Sequence, residues 1–214
     1  MYLFSDGCPG QNKNSIMPAM LLHMVNRSEN IQEISLRFFE SFHGQSEGDS
    51  AHSAISTALE KAGELFVPSQ LQTVVKMARR RQTYNVNSLE FGDFFNFKKF
   101  SEDLKILSIR TDDDDSDLPI NWNNMMEMRV IKTNPTAIFF KTSHLEKEYR
   151  SISIKRQQAP LIKNEPQKLN KEPNQISREK YADLQSLCFS ATGKPTVIRN
   201  AEHKAFYSHL PHKE

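Results

Sequence analysis

Two short apolar runs, separated by one amphipathic segment of helix length, set the limits on what this chain can build. Tyr2-Leu3-Phe4 is the first run, and it closes on Ser5-Asp6-Gly7. Cys8-Pro9-Gly10-Gln11-Asn12-Lys13-Asn14 is loop chemistry. From a cap near Asn14 or Ser15, the residues Ile16, Met17, Met20, Leu21, Met24 and Val25 recur at helical spacing. Pro18 then falls in the first turn, where a missing N–H is tolerated. Ile34 to Phe39 alternates and reads as a second strand. A strand, a helix and a strand of these lengths make a βαβ unit, so the two strands are expected to run parallel.

Further along, Asp49 or Ser50 reads as the N-cap of a helix carrying Ala51, Ile55, Ala58, Leu59 and Ala62, stopped by Gly63. Pro68 opens another helix through Leu71, Val74, Val75 and Ala78, ending in Arg79-Arg80-Arg81. Phe91 to Leu104 suggests a short aromatic-rich helix. The acidic run Asp112 to Asp115, with Asp117, reads as a solvated loop and marks a boundary. Three strands are expected at 128–132, 137–141 and 149–155, with a tight turn at Thr133-Asn134-Pro135. Residues 157–175 have linker composition, and Ser177 caps a last helix to Leu187.

Composition narrows the class. Hydrophobic residues make up 37% of the 214 and the mean hydropathy is -0.61, which suits a modest core with long solvated loops. No window has the run of about 18 apolar residues that a membrane span needs, and the first residues lack the form of a signal peptide. Cys8 and Cys188 are too few for a disulfide framework, so a reduced, intracellular chain is expected, the nucleus among its possible places. Charge is unevenly spread. Residues 1–117 carry 12 Lys and Arg against 17 Asp and Glu, and residues 118–214 carry 16 against 9. An acidic front and a basic back suit a metal-binding half joined to a phosphate-facing half, although surface solvation alone explains the same pattern.

Two stretches could carry chemistry. Asp6 ends a strand before a glycine turn and a helix, the position where functional groups gather in open α/β sheets. The segment His43-Gly44-Gln45-Ser46-Glu47-Gly48-Asp49-Ser50-Ala51-His52-Ser53 holds two acids, two histidines and a glutamine at a helix entrance. On a helix Asp49 and His52 lie about 60° apart, on one flank. Glu47 is expected to precede the cap. A plain N-cap role for Asp49 and a half-buried structural role for His52 compete with ligand roles. A zinc site from His43, His52 and Cys8 has no supporting spacing.

These two strings, Ser5 to Asn14 and His43 to Ser53, resemble a family of transposon-derived proteins of insects and other invertebrates. Its members resemble DDE transposases with an RNase H-like core. The resemblance continues through Tyr84-Asn85-Val86, the strands at 128–155 and Ile176 to Leu184, with one departure at Phe42, where glycine is expected before the histidine. It implies a catalytic acid at Asp6 and another at Asp49, with Glu47 as the alternative and His52 as an orienting or phosphate-touching neighbour. In such folds the acids hold two Mg²⁺ or Mn²⁺ ions about 3.5–4 Å apart. A counterpart of the family's first acid and its strand is lacking in this sequence, so Tyr2 to Ser5 is expected to form an unpaired apolar edge.

The resulting expectation is an α/β chain. A partial RNase H-like core (β-α-β-α, first strands missing) with helices fills residues 1–110. A small antiparallel β region spans 118–156, a linker 157–175, and a C-terminal helix and tail 176–214. The function implied is metal-dependent nucleic-acid cleavage or strand transfer in the ancestor, inactive in this chain. The alternatives are a non-catalytic nucleic-acid- or protein-binding module, or a gene relic. For nucleic acid, DNA first, the expected carriers are Arg129, Lys132, Lys141, Arg150, Lys155 and Arg156. A partner chain or an N-terminal segment would complete the sheet, and no membrane is involved.

Overall fold

The computed structural model describes residues 1–40, 46–113, 118–190 and 196–213. It divides into two compact units, one of Met1–His43 with Phe95–Leu169 and one of Gly44–Phe94 with Asn170–Glu214.

The first unit is built on a mixed sheet of five strands in the order β1-β2-β3-β4-β5. β1 (Tyr2–Ser5) pairs parallel with β2 (Glu33–Phe38), and α1 (Ile16–Arg27) connects them. The βαβ unit expected from the sequence is therefore present. β3 (Glu127–Ile131), β4 (Asn134–Lys141) and β5 (Arg150–Ser153) continue the same sheet, each antiparallel to its predecessor. The three later strands thus form no separate region. They supply the partners without which two parallel strands would be a marginal sheet.

Register follows from alternation and charge. Ile34, Leu36 and Phe38 of β2 point to one face, where Leu21, Leu22 and Val25 of α1 cover them. Met128, Val130, Ile138, Phe140 and Ile152 extend that layer, and Phe100, Leu104, Ile106 and Ile162 close it. On the opposite face Arg37 lies directly across from Glu127, and Arg129 reaches Glu33 on the diagonal. A one-residue slip would part these ion pairs and expose the core row, so both terms fix the pairing.

Several elements differ locally from expectation. In α1 the buried stripe includes Ala19 and Leu22, while Met17, Met20 and Met24 are only partly buried. The first N–H groups of α1 are capped by Asn14, whose Oδ1 accepts from Ile16 and Met17. The aromatic segment breaks into a 3₁₀ turn at Phe91–Asp93 and α4 at Phe97–Asp103. Between them Phe95 bridges to Lys168, and Asn96 donates its N–H to the carbonyl of Gln167 before capping α4. The stretch of linker composition is consequently packed in part, with Ile162 buried in the core. Asn134 and Pro135 belong to β4, because the hairpin turn is the pair Lys132-Thr133.

The second unit is helical. α2 (Glu47–Ala62) and α3 (Pro68–Met77) pack as a pair, and neither has a fully buried residue. Gly63 ends α2 at a φ of 73°, a conformation that only glycine adopts cheaply. α5 (Arg178–Cys188) and α6 (Ala201–Ser208) pack together over the buried Cys188 and Ile198. Tyr207 donates its hydroxyl to the Phe66 carbonyl, which ties α6 to the chain before α3.

Candidate functional site

Asp6 follows the last residue of β1, at the carboxyl ends of the parallel pair. Its carboxylate is exposed, and Oδ1 accepts the Gly7 N–H at 2.6 Å. The loop after it is held by its own side chains. The Cys8 carbonyl accepts from the N–H groups of Gln11, Asn12 and Lys13. Asn12 Nδ2 donates to Ser5 Oγ at 2.7 Å and to the Asp6 carbonyl. Lys13 threads past Gly7 so closely that a Cβ there would lie 3.0 Å from its Cε. Its ammonium ends over the Phe38 ring and 3.6 Å from the Met126 sulfur, and the residue is 9% exposed. The string Ser5 to Asn14 is thus a built loop, and much of its composition serves its own geometry.

Glu47, Asp49 and His52 all lie in α2, in the other unit, and all three are exposed. Ser46, not Asp49, is the N-cap, and Glu47 is the first helical residue. Asp49 sits at the third position of a capping box. Its Oδ2 accepts from the Ser46 N–H at 2.7 Å and the Ser46 hydroxyl at 2.8 Å, while Ser46 Oγ accepts the Asp49 N–H. The carboxylate is therefore occupied by helix-start chemistry. His43, named above in the zinc reading, lies outside the described residues. Among the described residues, no three His, Cys, Asp or Glu side chains converge to form a set able to hold a metal ion.

The basic residues of the β strands divide. Arg129 pairs with Glu33, and the hydrogen bond from its guanidinium holds the Glu33 carboxyl below its ordinary range. Lys132 donates to the Ser28 carbonyl. Arg150 donates through Nε to the buried Asp112 at 2.6 Å. Among the described residues Lys141 has no carboxylate partner; it donates to the carbonyls of Glu146 and Lys147 and sits 4.2 Å from the Tyr149 ring centroid. Lys155 and Arg156 are exposed. Three of the six cations are thus committed to holding the unit together.

A depression of about 380 Å³ opens in the first unit at the carboxyl ends of β1 and β2. Phe4 and Phe39 line it with rings stacked at 6.1 Å and 19°. Arg37, Lys141 and His144 bring positive or protonatable groups, and Glu40 and Glu127 bring acids. Glu127 is only 4% exposed in its side chain and is used twice, by Arg37 Nε at 3.3 Å and by the Tyr149 hydroxyl at 2.8 Å. Burial and that hydrogen bond push the Tyr149 phenol above its usual value. His144 donates Nε2–H to the Phe38 carbonyl at 2.9 Å. Of these residues sequence reasoning singled out only Lys141. The signal available for the others was the alternation that places Tyr2, Phe4 and Arg37 opposite the core-facing residues.

Comparison of the chain with protein-family models, with curated proteins and with solved structures gives no match. Among the described residues no helix is long and apolar enough to cross a membrane.

Proposed function

We propose that this chain is a transposase-derived, RNase H-like domain that binds nucleic acid, DNA first, without cleaving it. The observation that carries this reading is the β1–α1–β2 unit with Asp6 directly after β1, at the carboxyl ends of a parallel pair where α/β sheets hold ligands. The motif Ser5 to Asn14 supports the family resemblance, and the five-stranded mixed sheet is compatible with a divergent member. The non-cleaving part of the reading is supported by Asp49, whose carboxylate is engaged in a capping box with Ser46.

The test is fluorescence anisotropy with labelled single-stranded and duplex DNA between about 50 and 200 mM salt, with Mn²⁺ present and strand integrity read on a gel. The expected result is binding that weakens steeply with salt and intact strands. Cleavage that disappears in Asp6→Ala would restore the catalytic reading, and absence of binding at low salt would end the nucleic-acid reading.

A further inference from the structure

The two faces of the sheet treat aromatic residues in opposite ways. On the covered face Phe38 and Phe140 are each 1% exposed. On the other face Tyr2 is 60% and Phe4 61% exposed, a large apolar surface left in water. Phe39, one residue beyond β2, stacks on Phe4, so two nearly parallel rings stand together at the sheet end. Beside them are two cations, Arg37 with its guanidinium 5.1 Å from the Tyr2 ring centroid and Lys141 with its ammonium 4.2 Å from that of Tyr149. Arg37 has a side chain 41% exposed and meets its one carboxylate through Nε. Its outer nitrogens have no acceptor among the described residues. Lys141 donates to backbone carbonyls and meets no carboxylate among the described residues.

Phenyl faces flanked by a guanidinium and an ammonium are the chemistry that receives a planar base and the phosphate attached to it. Single strands suit such a surface because their bases are free to leave the stack, whereas a duplex hides base faces. The acid nearest the cations does not oppose this, because Glu127 is buried and consumed by Arg37 and Tyr149.

We infer that the depression at the carboxyl ends of β1 and β2 is a single-stranded nucleic-acid site. Phe4 stacks a base there with the Phe39 ring behind it, and Arg37 and Lys141 hold its phosphate. This assignment rests on the nucleic-acid reading above and adds to it the strand state and the residues. It also separates the site from Lys155 and Arg156, which lie after β5 at the far side of the sheet.

The experiment is anisotropy of a labelled oligothymidylate of about ten nucleotides, against a duplex of equal length. The proteins are the full chain and its Phe4→Leu, Phe39→Leu, Lys141→Gln and Lys98→Gln versions, each checked for an unchanged thermal transition. Leucine keeps the apolar volume and removes the ring face. The expected result is preference for the single strand and a roughly 5- to 100-fold loss in each leucine variant. Lys141→Gln is expected to reduce the salt slope by about 1, and Lys98→Gln, at an exposed position of α4, to leave affinity within about twofold. Wild-type binding undiminished in both leucine variants overturns the site and leaves the nucleic-acid reading intact. No binding by the wild type overturns both. Concentration-dependent self-association abolished by Phe4→Leu, with no leucine effect on oligonucleotide affinity, overturns the site in favour of strand pairing along the β1 edge.

Discussion

Lys13 passes close over Gly7 in the motif loop, and the pair gives a direct residue-level test. A Cβ at Gly7 meets Lys13 Cε at 3.0 Å, and Lys13 cannot swing freely because it is held against Phe38 and Met126. Gly7→Ala is expected to cost roughly 1 kcal/mol, the low end of overpacking. The double variant with Lys13→Ala should recover most of that cost, and a denaturant double-mutant cycle reads the coupling. His23 gives a second test. It lies between the rings of Phe97 and Phe100, with Nδ1 buried and without a hydrogen-bond partner among the described residues. Burial holds its pKa below the ordinary value, with Arg27 adding to that and Glu165 opposing. The folded chain thus binds this proton more weakly than the unfolded chain. Stability is full above the unfolded value of about 6.5 and falls as pH drops through the folded one. Urea midpoints at about pH 7.5 and 5 should therefore fall less in His23→Leu than in the wild type. The role of Asp6 as a strand-ending acid was legible in the sequence. The burial of Lys13 was not, because a lysine in a glycine-rich loop reads as solvated until its neighbours are known.

At the scale of elements, α2 shows how a helix without a buried face depends on its ends. None of its residues is fully buried, so its start rests on the Ser46–Asp49 box. Asp49→Ala is expected to cost about 0.5–2 kcal/mol and to lower helicity by circular dichroism, with Asp49→Glu retaining part of the effect. An unchanged helix signal would show that the box contributes nothing. The helix itself was readable from its apolar spacing, and its stop from Gly63. Its start lies three or four residues before the Asp49 or Ser50 expected, because Ser46, Asp49 and Ser50 all have capping chemistry and only geometry selects among them. The strands β3 to β5 were likewise readable one by one. Their attachment to β2 was not, since it arises from cross-strand partners such as Arg37 with Glu127, which are 90 residues apart in sequence.

For the whole molecule, the core is concentrated in one unit. Leu21, Leu22, Ile34, Phe38, Met128, Ile138 and Phe140 are all in the unit of the sheet, whereas the helical unit fully buries Cys188 and Ile198 among its described hydrophobic residues. Hydrogen exchange should therefore show the slowest amides in β2, β3, β4 and α1, with α2 and α3 exchanging orders of magnitude faster. Equal protection in both units would contradict that distribution. The charge asymmetry of the sequence has a comparable resolution, since Arg129 and Arg150 are consumed by Glu33 and Asp112 and only part of the basic half faces outward. The central claim is that this chain handles nucleic acid without a catalytic metal centre, and calorimetric titration of Mn²⁺ into the full chain beside Asp6→Ala and Asp49→Ala tests it most directly. The account predicts no saturable high-affinity heat in any of the three. Stoichiometric binding by the wild type that is lost in both variants would set the two acids around one metal and contradict it.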